Sequence, residues 1–238
     1  MKSNFNKDVQ ILSSLNSDVT LQNILERLKT SKNSPEIYKT AQTVLEKMQG
    51  KWKSAALFQW FNFELDQKKG FGRICQKSGE VVQINLGQSI KFLKPATQVI
   101  LGVYSVGEGL DGESANTSLE GNLLEAYIID LIGLAALEKI CAVIKKKAED
   151  QARKVGWGVS PFLSPGSVHG WDLEEQSKLC QLLPIDRINV SIKNNSVLFP
   201  LKSIVALIGI GSDYETAKVG SKCDVCSKRD NCQMKRDN

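Results

Sequence analysis

Hydrophobic positions change their period several times along this chain, and each change predicts an element. From Leu123 to Ile144 the residues LLEAYIIDLIGLAALEKICAVI are apolar on nearly every helical face, so a helix there has to be buried. Thr117 with Glu120 reads as a capping box at its start, and the central helical stretch is expected over Leu119 to Lys154. Lys145, Lys146, Lys147, Glu149, Asp150, Arg153 and Lys154 then carry its end into water before Gly156. Glu125, Asp130, Glu138 and Lys139 interrupt the apolar run. Each would cost about 2.5 kcal/mol or more in mid-bilayer, which makes this the central helix of a soluble domain.

Upstream, Val9, Ile11, Leu12 and Leu15 form one apolar patch expected on a helix, and Leu21, Ile24, Leu25 and Leu28 repeat at helical spacing. A third helix is punctuated by Ser34 as cap, Pro35 at its first position and Gly50 as its stop. From Trp52 to Leu65 the period becomes two, with Phe61, Phe63 and Leu65 alternating with Asn62 and Glu64, so a strand is expected. Gly70, Gly72 and Ser78-Gly79 mark turns, and Val81 to Leu86 and Thr97 to Val106 supply further strands. Past the central helix, Gly156 to Leu163 reads as a strand and Ser164-Pro165-Gly166 as a sharp turn. Asp172 with Glu175 reads as a second capping box, opening an amphipathic helix that runs to Pro184. Ile188 to Ile192 and Ser203 to Ile210 are β-branched and apolar, separated by Asn194-Asn195 and Pro200. The pattern predicts an α+β fold in three stretches: an N-terminal helical segment over 1–50, an α+β core over 51–213 and a cysteine-containing tail over 214–238.

Composition narrows the function classes. The chain has 238 residues, 42% hydrophobic and 24% charged, as in an ordinary globular protein. Its net charge of +5 is spread among nearly as many acids, without the basic patch or motif that nucleic acid binding needs. The start MKSNFNKDVQ is polar and no apolar run reaches bilayer length, so neither a signal peptide nor a membrane span is expected, and the cytoplasm is the expected location. Cys75, Cys141 and Cys180 are isolated, whereas Cys223, Cys226 and Cys232 are crowded; in a reducing compartment that crowd is a metal-site candidate before a disulfide one.

Three features carry possible chemistry. Gly107-Glu108-Gly109-Leu110-Asp111-Gly112 satisfies Gly-x-Gly-x-x-Gly, but Glu108, Asp111 and Glu113 would put carboxylates beside a phosphate. The segment is therefore expected as a mobile loop between strand and helix, with the helix cap arriving later at Thr117. His169, the only histidine, has no partner histidine or neighbouring nucleophile and reads as a hydrogen-bonded loop residue. In the tail, Cys223 and Cys226 can bite one metal and Cys232 can return to it. Zinc would want a fourth ligand from Cys75, Cys141, Cys180 or His169; an iron–sulfur cluster could leave one iron open to another ligand; and a solvated tail without metal is the third possibility.

Taken in order, several pieces resemble the activation domain of cobalamin-dependent methionine synthase, particularly its free-standing relatives in anaerobes. A strand and Gly-containing loop lead to Ala126, Tyr127, Asp130 and Gly133, matching an Ala-Tyr-x-x-Asp-x-x-Gly core. Ser164 to Gly166 match a Ser-Pro-Gly turn, Trp171, Leu173, Glu174 and Gln176 the start of the next helix, and Pro200 and Ser203 a Pro-x-x-Ser segment before Ile208 to Gly211. The resemblance covers Val44 to Cys232 and implies a twisted, mainly antiparallel sheet around the long buried helix. It implies binding of S-adenosylmethionine, docking on a corrinoid protein or cobalamin-dependent methyltransferase, and an electron donor, so that cob(II)alamin can be reduced and remethylated. The loops flanking the apolar elements make Gly107, Gly109, Ser164, Pro165, Gly166, Trp171, Pro200 and Ser203 the expected cofactor site, with Cys223, Cys226 and Cys232 as metal ligands. Phe162 and Ser167 stand where the family carries an arginine and a tyrosine, and Arg153 or Lys154 are the nearby candidates for the missing charge. Losing a charge-assisted hydrogen bond costs ~1.5 to 3 kcal/mol, so a docking or metal-binding protein that keeps the fold without the nucleotide site is the alternative.

Overall fold

The computed structural model describes residues 5–13, 15, 17–28, 34–66, 68, 70–76, 78–168, 170–194, 196–220, 225, 226 and 231. Its centre is an antiparallel sheet. Strands β1 (Gln10–Ser13), β2 (Ala55–Asp66), β3 (Phe71–Cys75), β4 (Val81–Asn85), β5 (Gln98–Ser105), β6 (Gly158–Val159) and β9 (Ser203–Gly211) lie in the order β4-β3-β2-β5-β9-β6. Strand β1 shares one edge of β2 with β3, pairing Gln10 with Phe58 and Ser13 with Ala55. A separate hairpin joins β7 (Ser191–Lys193) to β8 (Val197–Phe199).

Period-two alternation divides the buried side chains between two layers. Ala56, Phe58, Trp60, Ile100, Tyr104, Ala206, Ile208 and Ile210 face a first core, while Leu57, Phe61, Phe63, Val99, Leu101, Val103, Val205 and Leu207 face a second. Helix α5 (Leu123–Val155) covers the first face with Ile128, Ile132, Ala136, Ile140 and Ile144. Helices α1 (Leu21–Leu28) and α2 (Pro35–Met48) pack beside it through Ile24, Ala41, Val44 and Met48. The Arg27 guanidinium, buried on α1, donates to Glu138 on α5 at 2.6 Å. The second face is covered by less regular chain: the Ser164–Trp171 loop, the short helices α3 (Ile90–Leu93) and α6 (Glu175–Gln181), and a 3-10 turn at Ile185–Ile188.

The α+β class, the antiparallel sheet and the central helix match the expectation, as does the left-handed Gly156 that ends α5. Several boundaries differ. The patch at Val9–Leu15 is not a helix: Gln10–Ser13 pairs with β2, because a short stretch with only Ile11 and Leu12 apolar is satisfied equally well at a sheet edge. Gly72 is inside β3, not in a turn; a Cβ there would come 2.7 Å from the Phe63 ring. The Gly-rich segment opens directly into helix α4 (Gly109–Leu119), so Thr117 is a buried member of α4 and not the cap of α5, which starts after Asn122. The first turns of α5 are not fully covered: Leu123 is 68% exposed, and Leu124, Tyr127 and Leu134 also face out. Glu175 makes no capping box, since its carboxylate accepts from the Asn85 N–H at 3.0 Å and pairs with Lys178 at 2.6 Å. Of the strand expected over Ile188–Ile192, Ile188 ends a 3-10 turn, Asn189 is left-handed and only Ser191 and Ile192 are extended, in β7, while that over Gly156–Leu163 shrinks to Gly158–Val159 plus a single bridge from Leu163 to Leu207.

Candidate functional site

Strand β9 begins where three of the expected site segments are tied together. In register, Ser105 at the end of β5 stands opposite Ser203 at the start of β9, and the Ser203 hydroxyl donates to the Ser105 hydroxyl at 2.9 Å. The Ser105 hydroxyl in turn accepts from the Gly107 N–H at 3.1 Å. Two residues further along β9, the Val205 carbonyl accepts from the buried Ser164 hydroxyl at 2.8 Å. By strand alternation Ser105 and Ser203 project on the same face as Val103 and Val205, the face that carries the Ser164–Trp171 loop.

That loop is held mainly by its own backbone. Gly166 N–H donates to Trp171 C=O at 2.8 Å, Ser167 N–H to Ser164 C=O at 3.1 Å, and Trp171 N–H to Val168 C=O at 3.0 Å. Gly166 has φ +75°, and a Cβ there would meet Leu173 at 3.0 Å, so a side chain would be strained at this turn. Pro165 is the second residue of the turn, and Trp171 is buried in the second core with an indole N–H that has no acceptor among the described residues. Gly87 backs this loop closely, a contact the sequence did not signal: a Cβ there would fall 1.5 Å from the Gly170 carbonyl. Gln176, from the Leu-Glu-x-Gln segment, donates to Ser196 C=O and anchors the β7–β8 hairpin.

On the other face the start of β9 is tied to α4 and α5 by charge. Leu201 N–H donates to Asp111 at 2.6 Å, and the Lys202 ammonium bridges Asp111 at 2.8 Å and Asp130 at 2.6 Å. Burial opposes the Lys202 charge, but hydrogen bonds and the charges of Asp111 and Asp130 outweigh it and raise the Lys202 pKa above its usual value. This cluster accounts for two residues of the Ala-Tyr-x-x-Asp-x-x-Gly segment: Asp130 pairs with Lys202, and a Cβ at Gly133 would press on the Lys202 chain at 2.9 Å. Lys202 and Asp111 were not singled out for this role by sequence, because they are far apart in the chain and only the fold makes them a pair. Gly109 also has a packing reason, since a Cβ there would lie 2.0 Å from the Lys51 carbonyl. Pro200 follows Phe199 through a cis peptide bond and immediately precedes Leu201, the residue whose N–H donates to Asp111 on α4.

Phe162, which the resemblance set against an arginine, is buried in the first core beside Tyr104, with ring centroids 6.2 Å apart. A cation does stand near it, but it is Lys145, whose ammonium lies 5.4 Å from the Phe162 ring. Arg153 is instead paired with Asp150 on its own helix. Burial, with a smaller contribution from Cys141, holds the Tyr104 hydroxyl well above the ordinary tyrosine pKa.

Of the expected metal ligands, Cys223 and Cys232 lie outside the described residues, as does His169. Cys226 is a free, partly buried thiol whose backbone pairs with Val168. Among the described residues no group of three His, Cys, Asp or Glu side chains is placed to hold a metal ion. No described helix is long and apolar enough to cross a membrane. A surface depression of about 330 Å³ lies at the far end of β2, lined by Glu64, Leu65, Asp66, Lys68 and Arg73, away from the segments above.

No family model matches the sequence, and no curated protein matches it either. Solved structures do: the MetH reactivation domain bound to AdoHcy superposes with a TM-score of 0.63, at 10% identity, over 89% of this chain and 82% of that one. The chain has the fold of the MetH reactivation domain.

Proposed function

We propose that this protein is a free-standing reactivation module that binds S-adenosylmethionine at the start of β9 and docks, in the cytoplasm, on a corrinoid methyltransferase. The observation that carries this reading is the reactivation-domain fold over 89% of the chain. It is supported by the meeting of the Gly107 loop, Ser203 and the Ser164–Gly166 turn within three residues of β9. The neighbour holds AdoHcy, which differs from S-adenosylmethionine by the transferable methyl group. In this reading the chain's residues position and do not react. Gly166 keeps the turn free of a side chain, Ser203 and Ser105 offer hydroxyls on the same face, and the buried Trp171 indole N–H has no acceptor among the described residues. S-adenosylmethionine would supply the methyl group, and the corrinoid of the partner, reduced by a separate one-electron donor, would accept it.

The alternative, a docking protein that keeps the fold without the nucleotide site, is favoured by one observation: Phe162 is locked in the first core and offers no charge to a ligand carboxylate. Titration calorimetry of the full chain with S-adenosylmethionine, and separately with S-adenosylhomocysteine, decides between them. The reactivation reading expects saturable binding of both ligands at about one per chain, weakened into the range of roughly 10 to 100 µM by the missing arginine contact. Absence of heat and of a thermal shift with either ligand at millimolar concentration supports the alternative.

A further inference from the structure

The bend between α4 and α5 gathers apolar surface that neither core uses. Of the ten large apolar side chains exposed among the described residues, four fall within positions 119–127: Leu119 at 87%, Leu123 at 68%, Leu124 at 43% and Tyr127 at 45%. Leu123, Tyr127 and Leu134 recur at i, i+4 and i+11, so they share one face of α5. Scattered exposed leucines are ordinary on a soluble surface, but a contiguous group rimmed by polar residues marks a contact site.

The rim is acidic. From Gly107 to Glu138 there are seven acidic residues and no lysine or arginine, within a chain of net charge +5. Four of the seven are matched from elsewhere in the fold: Asp111 and Asp130 by Lys202, Glu113 by Lys51 and Glu138 by Arg27. Glu108, Glu120 and Glu125 form no ion pair among the described residues. Glu125, in the first turn of α5, suits the positive end of its helix, whereas Glu120 stands at the C-terminal end of α4, where a carboxylate meets the negative end. Helix stability gives no reason for a carboxylate at that place beside Leu119; a complementary partner does. We infer that the α4–α5 bend is a docking site for a basic amphipathic helix of another protein, whose apolar residues cover Leu119, Leu123 and Tyr127 while its lysines and arginines meet Glu120 and Glu125. Charge selects this occupant. A second copy related by a two-fold axis through the bend would bring Glu120 and Glu125 against their own counterparts, and the same carboxylates would repel an anionic lipid surface. Both helices pack on the first core, whereas Val103, Val205 and the Ser164–Trp171 loop belong to the second, so a helix docked at the bend leaves the proposed ligand face open.

Fluorescence anisotropy of a labelled, amidated peptide of about 18 residues, with leucines at i, i+4, i+7 and i+11 flanked by lysine and arginine, titrated with the full chain, tests the site. The expected result is saturable binding at roughly 10 to 100 µM that weakens as salt is raised. Leu119→Ser with Leu123→Ser, and separately Glu120→Lys with Glu125→Lys, should each weaken it at least about tenfold. None of these side chains belongs to either core, so both double variants should keep the circular dichroism of the unsubstituted chain. Val81→Thr, at an exposed apolar residue on β4, should leave peptide binding unchanged, and a peptide carrying glutamates in place of its lysines and arginines should not bind. No binding of the basic peptide at ~1 mM, equal binding of the acidic one, or full binding by either double variant would overturn the assignment. So would self-association of the chain, or its binding to phosphatidylserine vesicles, if the leucine substitutions abolished it. No readout involves S-adenosylmethionine, so the test stands apart from the reactivation reading.

Discussion

The two faces of the sheet are built on different terms. The first face is covered by long regular helices whose side chains interdigitate over α5, and its one polar cluster at the start of β9, Asp111 with Lys202 and Asp130, serves to pin α4 and α5 to the strand. The second face is covered by a loop, short helical turns and Val225, and it holds its shape through backbone hydrogen bonds and closely approached glycines such as Gly87 and Gly166. Regular packing on one side leaves the other free to present backbone and hydroxyl groups, the arrangement by which a rigid scaffold can carry the ligand proposed above.

The strongest way to break the contrast is to place a charge inside the first core. Phe162→Arg would bury a guanidinium in the first core beside Tyr104 and Lys145, leaving it unpaired next to another cation. We expect a loss of roughly 3 kcal/mol or more in chemical denaturation, and no gain in S-adenosylmethionine affinity, even when combined with Ser167→Tyr. A variant that stayed fully stable would show that this side chain can turn to the second face.

Alkaline pH separates the faces next. Burial pushes the Cys180 thiol, on the second face, up to about 12 from its usual 9.0. The folded state then keeps a proton that the unfolded chain releases, so this contribution is fully present below pH 9.0 and is lost as pH rises toward about 12. The slope of that loss approaches ~1.4 kcal/mol per pH unit. Tyr104, Tyr214 and Lys202 are also shifted upward, so their contributions act in the same direction but set in later, above their own ordinary values. Cys75, raised by burial from the same 9.0, adds to the early decline, so Cys180→Ala should reduce that first part in a pH series of denaturation curves while leaving the later part.

Ser164→Ala is a smaller perturbation. It leaves the Val205 carbonyl without the hydroxyl donor and should cost ~1 kcal/mol in the same measurement. The smallest effect is expected at the exposed start of α5. Leu123→Ser should change stability by less than about 0.5 kcal/mol, because its side chain is not part of either core.

How much of this was legible in the sequence follows the same division. The α5 helix, the alternation of β2 and the β-branched runs of β5 and β9 are long enough for their period to identify them. The four residues of β1 are not, and the boundary between α4 and α5 was obscured because Thr117 and Glu120 satisfy a capping pattern that the chain does not use. At the site, the Ser-Pro-Gly turn was visible from residue chemistry alone. The Lys202 cluster, the Gly87 approach and the pairing of Val168 with Cys226 were not, since each joins residues remote in the chain. Phe162 drew notice in the sequence only through the resemblance, and only the fold shows that it belongs to the first core.

Amide hydrogen exchange, followed with and without saturating S-adenosylmethionine, tests most directly whether the second face carries the ligand. The account predicts slowed exchange in residues 163–171, 105–109 and 200–205, with the interior of α5 unchanged. Protection confined to α4 and α5, or none in the Ser164–Trp171 loop while binding is demonstrable, would contradict it.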